Sequence, residues 1–276
     1  MNYLNPPDSY QSPNSAFTII PCAYEGRTTY GDGASDGPEA IIEASHHLEY
    51  YDVITETEPF TYGVRTLEPV TSHEEITEVA RTIDHNTTLP VYIGGDHSIT
   101  LAVNDALADT ADMMIFDAHA DMRYKWNGSE TNHACVTRHV AASRNTAVLG
   151  VRSMDRSEQQ AAANTDSVDL VAPNNVEDYH DTLSDDIHIS IDVDVLDPSI
   201  ISHTGTPEPN GISYEVLRGA LQRIISKHNV VSVDIVEFAP ANEPARRRAE
   251  AYTIAKLIYH ILGLTTTQRE VTSING

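Results

Sequence analysis

MMIFDAHADM (residues 113–122) runs apolar through Met113, Met114, Ile115 and Phe116, then sets Asp117, His119 and Asp121 at alternate positions. A short continuous apolar run bounded by polar residues reads as a strand buried on both faces, so this triplet falls where a buried strand ends. The same arrangement recurs along the chain. LPVYIGGDHS (89–98) leads to Asp96 and His97, DIHISIDVDVLDP (186–198) to Asp192, Asp194 and Asp197, and VVSVDIVEF (230–238) to Asp234 and Glu237.

Further apolar runs, AFTIIPC (16–22) and TAVLGV (146–151), also read as buried strands. Between the runs lie segments with helical spacing: 37–51, 72–84, 98–108, 134–143, 213–227 and 248–262. Ser72 and Glu75 are placed as a capping box for the second of these. Alternation of strand and helix predicts an α/β fold, a central parallel sheet with helices on both faces, and ligands bind such sheets beyond the carboxyl ends of the strands. No repeat, low-complexity stretch or linker interrupts the pattern, so one domain over 1–276 is expected.

Composition narrows the function. With 41 acidic residues against 17 Lys and Arg, the formal charge is −24 and the pI about 4.7, which argues against nucleic acid or an anionic membrane as partner. The acidic excess is spread along a chain that is still 40% hydrophobic, the balance of a folded protein with a strongly hydrated surface, as in a salt-loving cytoplasm. Only Cys22 and Cys135 are present, too few for a disulfide framework, so a reducing compartment is expected. The first residues, MNYLNPPDSYQSPNSAF, have neither a basic nor an apolar leader region, and no run of about 18 apolar residues occurs. A soluble cytoplasmic protein is expected.

The polar clusters point to metal. In extended chain, residues two apart share a face, so Asp117, His119 and Asp121 are expected to converge, as are Asp192 and Asp194. Carboxylates crowded in a cleft repel one another unless cations lie among them. GGDHS alone reads as a tight turn and helix cap, and DVDVLDP alone as a strand entering a Pro-limited turn; together they form one site. Oxygen-rich ligation with a minority of imidazoles and no paired cysteines suits a hard divalent ion such as Mn²⁺, and the number of ligands suits two ions. Four aspartates cancel two divalent ions, and Glu237 leaves the cleft net negative, a place for a cation.

GGDHS, DAHAD and SIDVDVLDPS resemble the three signature motifs of the ureohydrolases, the arginase and agmatinase family of dinuclear manganese enzymes. The likeness extends to YEGRTTYGDGASDGPEAIIEAS (24–45), HTGTPEPNG (203–211) and VDIVEFAP (233–240), and the flanking segments favour agmatinases. The resemblance implies an arginase-like three-layer α/β/α sandwich, assembled as trimers or hexamers. It implies one ion held by His97, Asp117, Asp121 and Asp192 and a second by His119, Asp117, Asp192 and Asp194. Glu237 would orient a small cationic guanidino substrate, and Asp121 and His133, the latter in NHACVTR, would move protons. Agmatine is the first expected substrate; guanidinobutyrate, aminopropylagmatine, arginine and formiminoglutamate are alternatives, and Arg123 and Lys125 are placed to receive a carboxylate tail. Two departures stand out. RYKWNGSET (123–131) does not follow the family pattern, and EFAPANEPARRR (237–248) lacks the Asp that often follows there. A deacetylase would need a single zinc, and a non-catalytic metal-binding protein would be expected to lack ligands that are all present here.

Overall fold

The computed structural model describes residues 1–26, 31–85, 87–240 and 244–275, without the side chains of 244–246 and 269–275. Residues 27–30 of the family-like N-terminal segment and 241–243 of EFAPANEPARRR therefore lie outside the described residues.

Among the described residues, eight strands form one sheet: β1 (Phe17–Pro21), β2 (Val64–Thr66), β3 (Leu89–Ile93), β4 (Asp112–Phe116), β5 (Thr146–Leu149), β6 (Val168–Val171), β7 (Asp186–Asp192) and β8 (Asn229–Val236). Their order is β2-β1-β3-β8-β7-β4-β5-β6, and every neighbouring pair is parallel. Among the described residues, seven α-helices cover it: α1 (Gly37–Ser45), α2 (His73–Thr82), α3 (Ile99–Asn104), α4 (Val136–Val140), α5 (Arg156–Ala163), α6 (Tyr214–Lys227) and α7 (Pro244–Asn275).

Pleating sorts the strand side chains into two cores. Met114 and Phe116 join Ile93, Ile189 and Ile191 against α1, α6 and α7, which supply Ile41, Leu221 and Ile258. Met113 and Ile115 point the other way and join Tyr92 and Val148 against Ile76 of α2, Val103 of α3 and Val140 of α4. Burial on both faces explains why the central strands read as unbroken apolar runs. The result is the expected three-layer α/β/α sandwich.

All six strands read from the sequence form, and β2, β6 and α5 are added. β2 has three residues, and β6, VDLV, is an edge strand with only Val171 buried, so neither carries a long apolar run. Only half of the predicted capping box at Ser72 exists: Ser72 Oγ accepts from the Glu75 amide at 3.2 Å, but Glu75 Oε2 accepts from the Thr71 amide at 2.7 Å. The complete box opens α5, where Asp155 accepts from the Glu158 amide and Glu158 accepts from the Asp155 amide. Among the described residues, no helix is long and apolar enough to cross a membrane.

Candidate metal centre

The four strands with polar termini, β3, β8, β7 and β4, are consecutive in the sheet, so His97, Glu237, Asp192 and Asp117 emerge side by side at its carboxyl edge. The convergence within each motif does not come from the pleat. β4 ends at Phe116, and beyond it Asp117 Oδ1 accepts from the His119 amide at 2.6 Å; at the last residue of β7, Asp192 Oδ1 accepts from the Asp194 amide at 2.9 Å. These aspartates turn the chain with their own side chains, and the turn brings residues two apart together. Asp121 then takes φ of +47° and Glu237 φ of +67°, the left-handed region that few non-glycine residues enter and that clusters at functional sites.

Two groups of donors result. His97, Asp117 and Asp121 form one and Asp117, His119 and Asp194 the other, the donor atoms of each lying within 4.8 Å of one another. His97 Nδ1 is 3.2 Å from Asp117 Oδ2, 3.3 Å from Asp121 Oδ2 and 3.5 Å from Asp192 Oδ2. His119 Nδ1 is 2.9 Å from Asp194 Oδ2 and 3.6 Å from Asp117 Oδ1. Asp117 thus stands between both imidazoles. Among the described residues, His97 Nδ1 and Asp117 Oδ2 are buried without a hydrogen-bond partner, a costly state for two strong polar atoms. A divalent cation among them would satisfy both, so the donor set fits the metal pair that the sequence implies.

Electrostatics agree. Burial and the Asp117 charge push Asp121 up to about 6, and burial with Asp194, Asp117 and Glu237 pushes Asp192 well above the usual carboxylate range. Burial would lower His119, but Asp117 and Asp194 outweigh it and raise it to about 12. The cluster holds on to positive charge.

Beneath the ligands lies a polar layer in which Ser190, His188 and Thr100 are additions to the residues read from the sequence. Ser190 Oγ donates to Asp234 Oδ1 at 2.6 Å and lies 3.0 Å from His97 Nε2; His188 Nε2 is 2.9 Å from Asp234 Oδ2, which also accepts from Thr100 Oγ1 at 2.9 Å. Asp234 therefore serves as support. Asp96 is another support, accepting from the amides of Gly26 and Ser98 at 2.6 and 2.9 Å, and Asp197 folds a turn through Ser199 and Gly211. Period-2 alternation in HISID, with Ser190 two before Asp192, was the available signal. Close approach explains Gly95, where a Cβ would stand 1.8 Å from the Tyr24 carbonyl oxygen.

Glu237 and His133 meet at the cavity wall. Glu237 Oε1 accepts from the His97 amide at 2.7 Å and lies 3.3 Å from His133 Nδ1. Burial lowers His133, but the Glu237 carboxylate raises it to about 9 overall. Cys135 is wholly buried, as a core residue should be.

The cavity over these groups measures about 360 Å³ and is lined by His97, His119, Asp121, His133, Asp192, Asp194 and Glu237 among others. Arg123 is the one Lys or Arg among the described residues lining it. Its guanidinium is engaged: Nη1 is 2.9 Å from Asp155 Oδ2, Nη2 is 3.2 Å from Glu158 Oε2, and Cζ lies 4.1 Å from the Trp126 ring centroid. Lys125 is exposed and does not line the cavity.

An all-parallel sheet carrying a carboxylate–imidazole cage at its carboxyl edge defines the class, an α/β enzyme with a centre fitted to metal. The chain belongs to the Arginase family, whose sequence model matches residues 15–263, and it is a hydrolase of the ureohydrolase class. It is 31% identical to an agmatinase of Pyrococcus horikoshii over 90% of this chain and 92% of that one. Similarity to an N(1)-aminopropylagmatine ureohydrolase of Thermus thermophilus is of the same order, 32% over 91% of this chain and 90% of the relative. The crystal structure of an agmatine ureohydrolase of Thermoplasma volcanium superposes with a TM-score of 0.84 at 26% identity, covering 93% of this chain and 92% of that chain.

Proposed function

We propose that this chain is a dinuclear manganese enzyme that hydrolyses agmatine to putrescine and urea. The observation that carries the reading is the unpartnered pair His97 Nδ1 and Asp117 Oδ2, 3.2 Å apart in a cage of aspartates and imidazoles. His97, Asp117, Asp121 and Asp192 would hold one ion and His119, Asp117, Asp192 and Asp194 the other. Two such ions supply a water whose pKa falls from about 15.7 towards about 7, a nucleophile that a resonance-stabilised guanidinium requires. An oxygen-rich set favours Mn²⁺ over a softer metal. One catalytic domain, assembled as a trimer or hexamer in the cytoplasm, completes the reading.

The chain's own groups do the rest. Glu237 pairs with the guanidinium and orients its central carbon. Asp121 takes the proton of the attacking water on its carboxylate and delivers it to the departing amine nitrogen as the C–N bond breaks and the C–O bond forms. His133, 3.3 Å from Glu237, exchanges protons between this pair and solvent. The products are urea and the free amine.

A second substrate, N(1)-aminopropylagmatine, is favoured by the likeness to the Thermus enzyme. The test is urea release from a panel of guanidino compounds with added Mn²⁺ in high salt, alongside metal analysis. Agmatine should lead the panel and the active protein should carry two ions per chain. Full activity with one ion, or no urea from any compound, would defeat the proposal.

A further inference from the structure

We propose that Glu208 selects substrates whose tail is positively charged, its carboxylate receiving the distal ammonium while Glu237 holds the guanidinium; this deepens the ureohydrolase reading and rests on it. Glu208 lies in HTGTPEPNG and lines the catalytic cavity on the His119 side, whereas Glu237 lies on the side of His97 and His133. His119 turns Nδ1 toward Asp194, 2.9 Å away, and Nε2 toward Glu208 Oε1, 3.8 Å away. Glu208 therefore stands one imidazole ring outside the donor cluster, a separation that a short alkyl chain spans.

The position is built rather than incidental. Ser153 Oγ donates to Glu208 Oε1 at 2.8 Å. Arg152 fixes the backbone on either side: Nη2 donates to the carbonyl oxygens of Glu208 and Asp194 at 2.8 and 2.7 Å, and Nε donates to that of Pro209 at 3.1 Å. The same guanidinium thus ties the segment carrying Glu208 to the one carrying Asp194. A preorganised carboxylate loses little freedom when it meets a ligand.

Charge accounting points the same way. Two divalent ions would match the charge of Asp117, Asp121, Asp192 and Asp194. Arg123 is already met by Asp155 and Glu158, so it offers nothing to an anionic tail. Glu237 and Glu208 are then the cavity carboxylates that neither those ions nor a Lys or Arg among the described residues meets, one near each end. A substrate with a guanidinium at one end and an ammonium at the other matches both, and Met154 and Trp126 give apolar wall for the methylenes between them.

Glu208 has one alternative role, orienting His119 through Nε2 as carboxylates behind ligating imidazoles do. Glu208→Gln separates the two, because an amide oxygen still accepts from Ser153 and still faces His119 Nε2 while the charge is gone. With the full chain loaded with Mn²⁺, KM and kcat should be compared for agmatine and for butylguanidine, which has the same chain length and no tail charge. Calorimetric binding of 1,4-diaminobutane and the Mn²⁺ content should be measured on the same samples. Losing one charge-assisted contact should raise KM for agmatine about tenfold or more and weaken the diamine by a similar factor. The kcat, the KM for butylguanidine and the Mn²⁺ content should stay near wild type. Parallel changes for agmatine and butylguanidine, or loss of Mn²⁺ with an unchanged KM for agmatine, would leave Glu208 an orienting residue and overturn the proposal. If wild type released no urea, the ureohydrolase reading would fail by itself, and equal diamine affinity in wild type and variant would still defeat the role given to Glu208.

Discussion

His97 Nε2 lies 3.0 Å from Ser190 Oγ, and Ser190 spends its hydroxyl proton on Asp234 Oδ1, 2.6 Å away. Ser190 must therefore accept from His97, which puts the imidazole proton on Nε2 and leaves the Nδ1 lone pair facing Asp117 and Asp121. The relay sets the tautomer that a metal ligand needs. Ser190→Ala should lower Mn²⁺ affinity about 10- to 100-fold, the usual cost of losing a partner behind a ligating imidazole. Calorimetric titration of the metal-free protein would check this, and wild-type affinity in the variant would refute it.

That relay marks the boundary of what the sequence made legible. The strands carrying Asp117, His119, Asp192 and Asp194 were readable because a doubly buried strand must be apolar throughout and must turn polar where it ends. The sequence names residues that do gather at one edge of the sheet, but not their geometry: side-chain-to-amide turns at Asp117 and Asp192 replace the pleat as the cause of convergence. Ser190 and His188 stay hidden, and Asp234 reads as one more strand-end carboxylate, because a buried polar residue inside an apolar strand looks like noise until its partners on other strands are known. Arg123 reads as placed for a carboxylate tail because its actual partners are Asp155, the N-cap of α5, and Glu158 in the first turn, and the helix sequence RSEQQAAA offers almost no apolar periodicity. The D-x-x-E capping pattern at 155–158 was the signal that would have found it.

Stability should rise with salt. A formal charge of −24 repels itself in the folded state, and the Debye length shrinks to about 3 Å at 1 M salt. The melting temperature should climb between dilute and molar KCl at fixed pH and metal. An unchanged value would remove the basis for placing this chain in a salt-rich cytoplasm.

Asp52 should contribute stability that acid removes. Its side chain is buried, with Oδ2 3.4 Å from both Lys256 Nζ and His260 Nδ1 and Oδ1 accepting from the Ile54 and Thr55 amides. Burial alone would raise this carboxyl, but His260 and the two amides outweigh it and hold it well below the usual carboxylate range. A depressed folded pKa means that the unfolded chain binds the proton first, so the contribution is complete above the unfolded pKa, near 4, and fades below it. Asp52→Asn keeps the amide contacts and loses the charge, and should cost roughly 1–3 kcal/mol at pH 7. The gap between wild type and variant in denaturant melts should narrow below about pH 4, and a gap that widens in acid would contradict the assignment.

Arg123 tests the substrate tail from the other direction. Its two acidic partners and the Trp126 face engage the one Lys or Arg that lines the cavity among the described residues, so agmatine should exceed both guanidinobutyrate and arginine in kcat/KM. Each tenfold preference is about 1.4 kcal/mol of differential transition-state binding, and roughly a hundredfold over arginine is expected for one uncompensated carboxylate in a net-negative cleft. Asp155→Asn should shift that balance. Asparagine still caps α5, so the helix stays in place, while the guanidinium loses the nearer of its two partners. An exposed pair of this kind is worth up to about 1 kcal/mol, so the ratio of agmatine to guanidinobutyrate should fall by about threefold to fivefold, mainly through faster turnover of guanidinobutyrate. Urea assays on both substrates at one salt concentration measure it. A ratio that does not move would mean that Arg123 never meets the tail, and a wild-type preference for guanidinobutyrate would mean that the ion pairs open to admit a carboxylate.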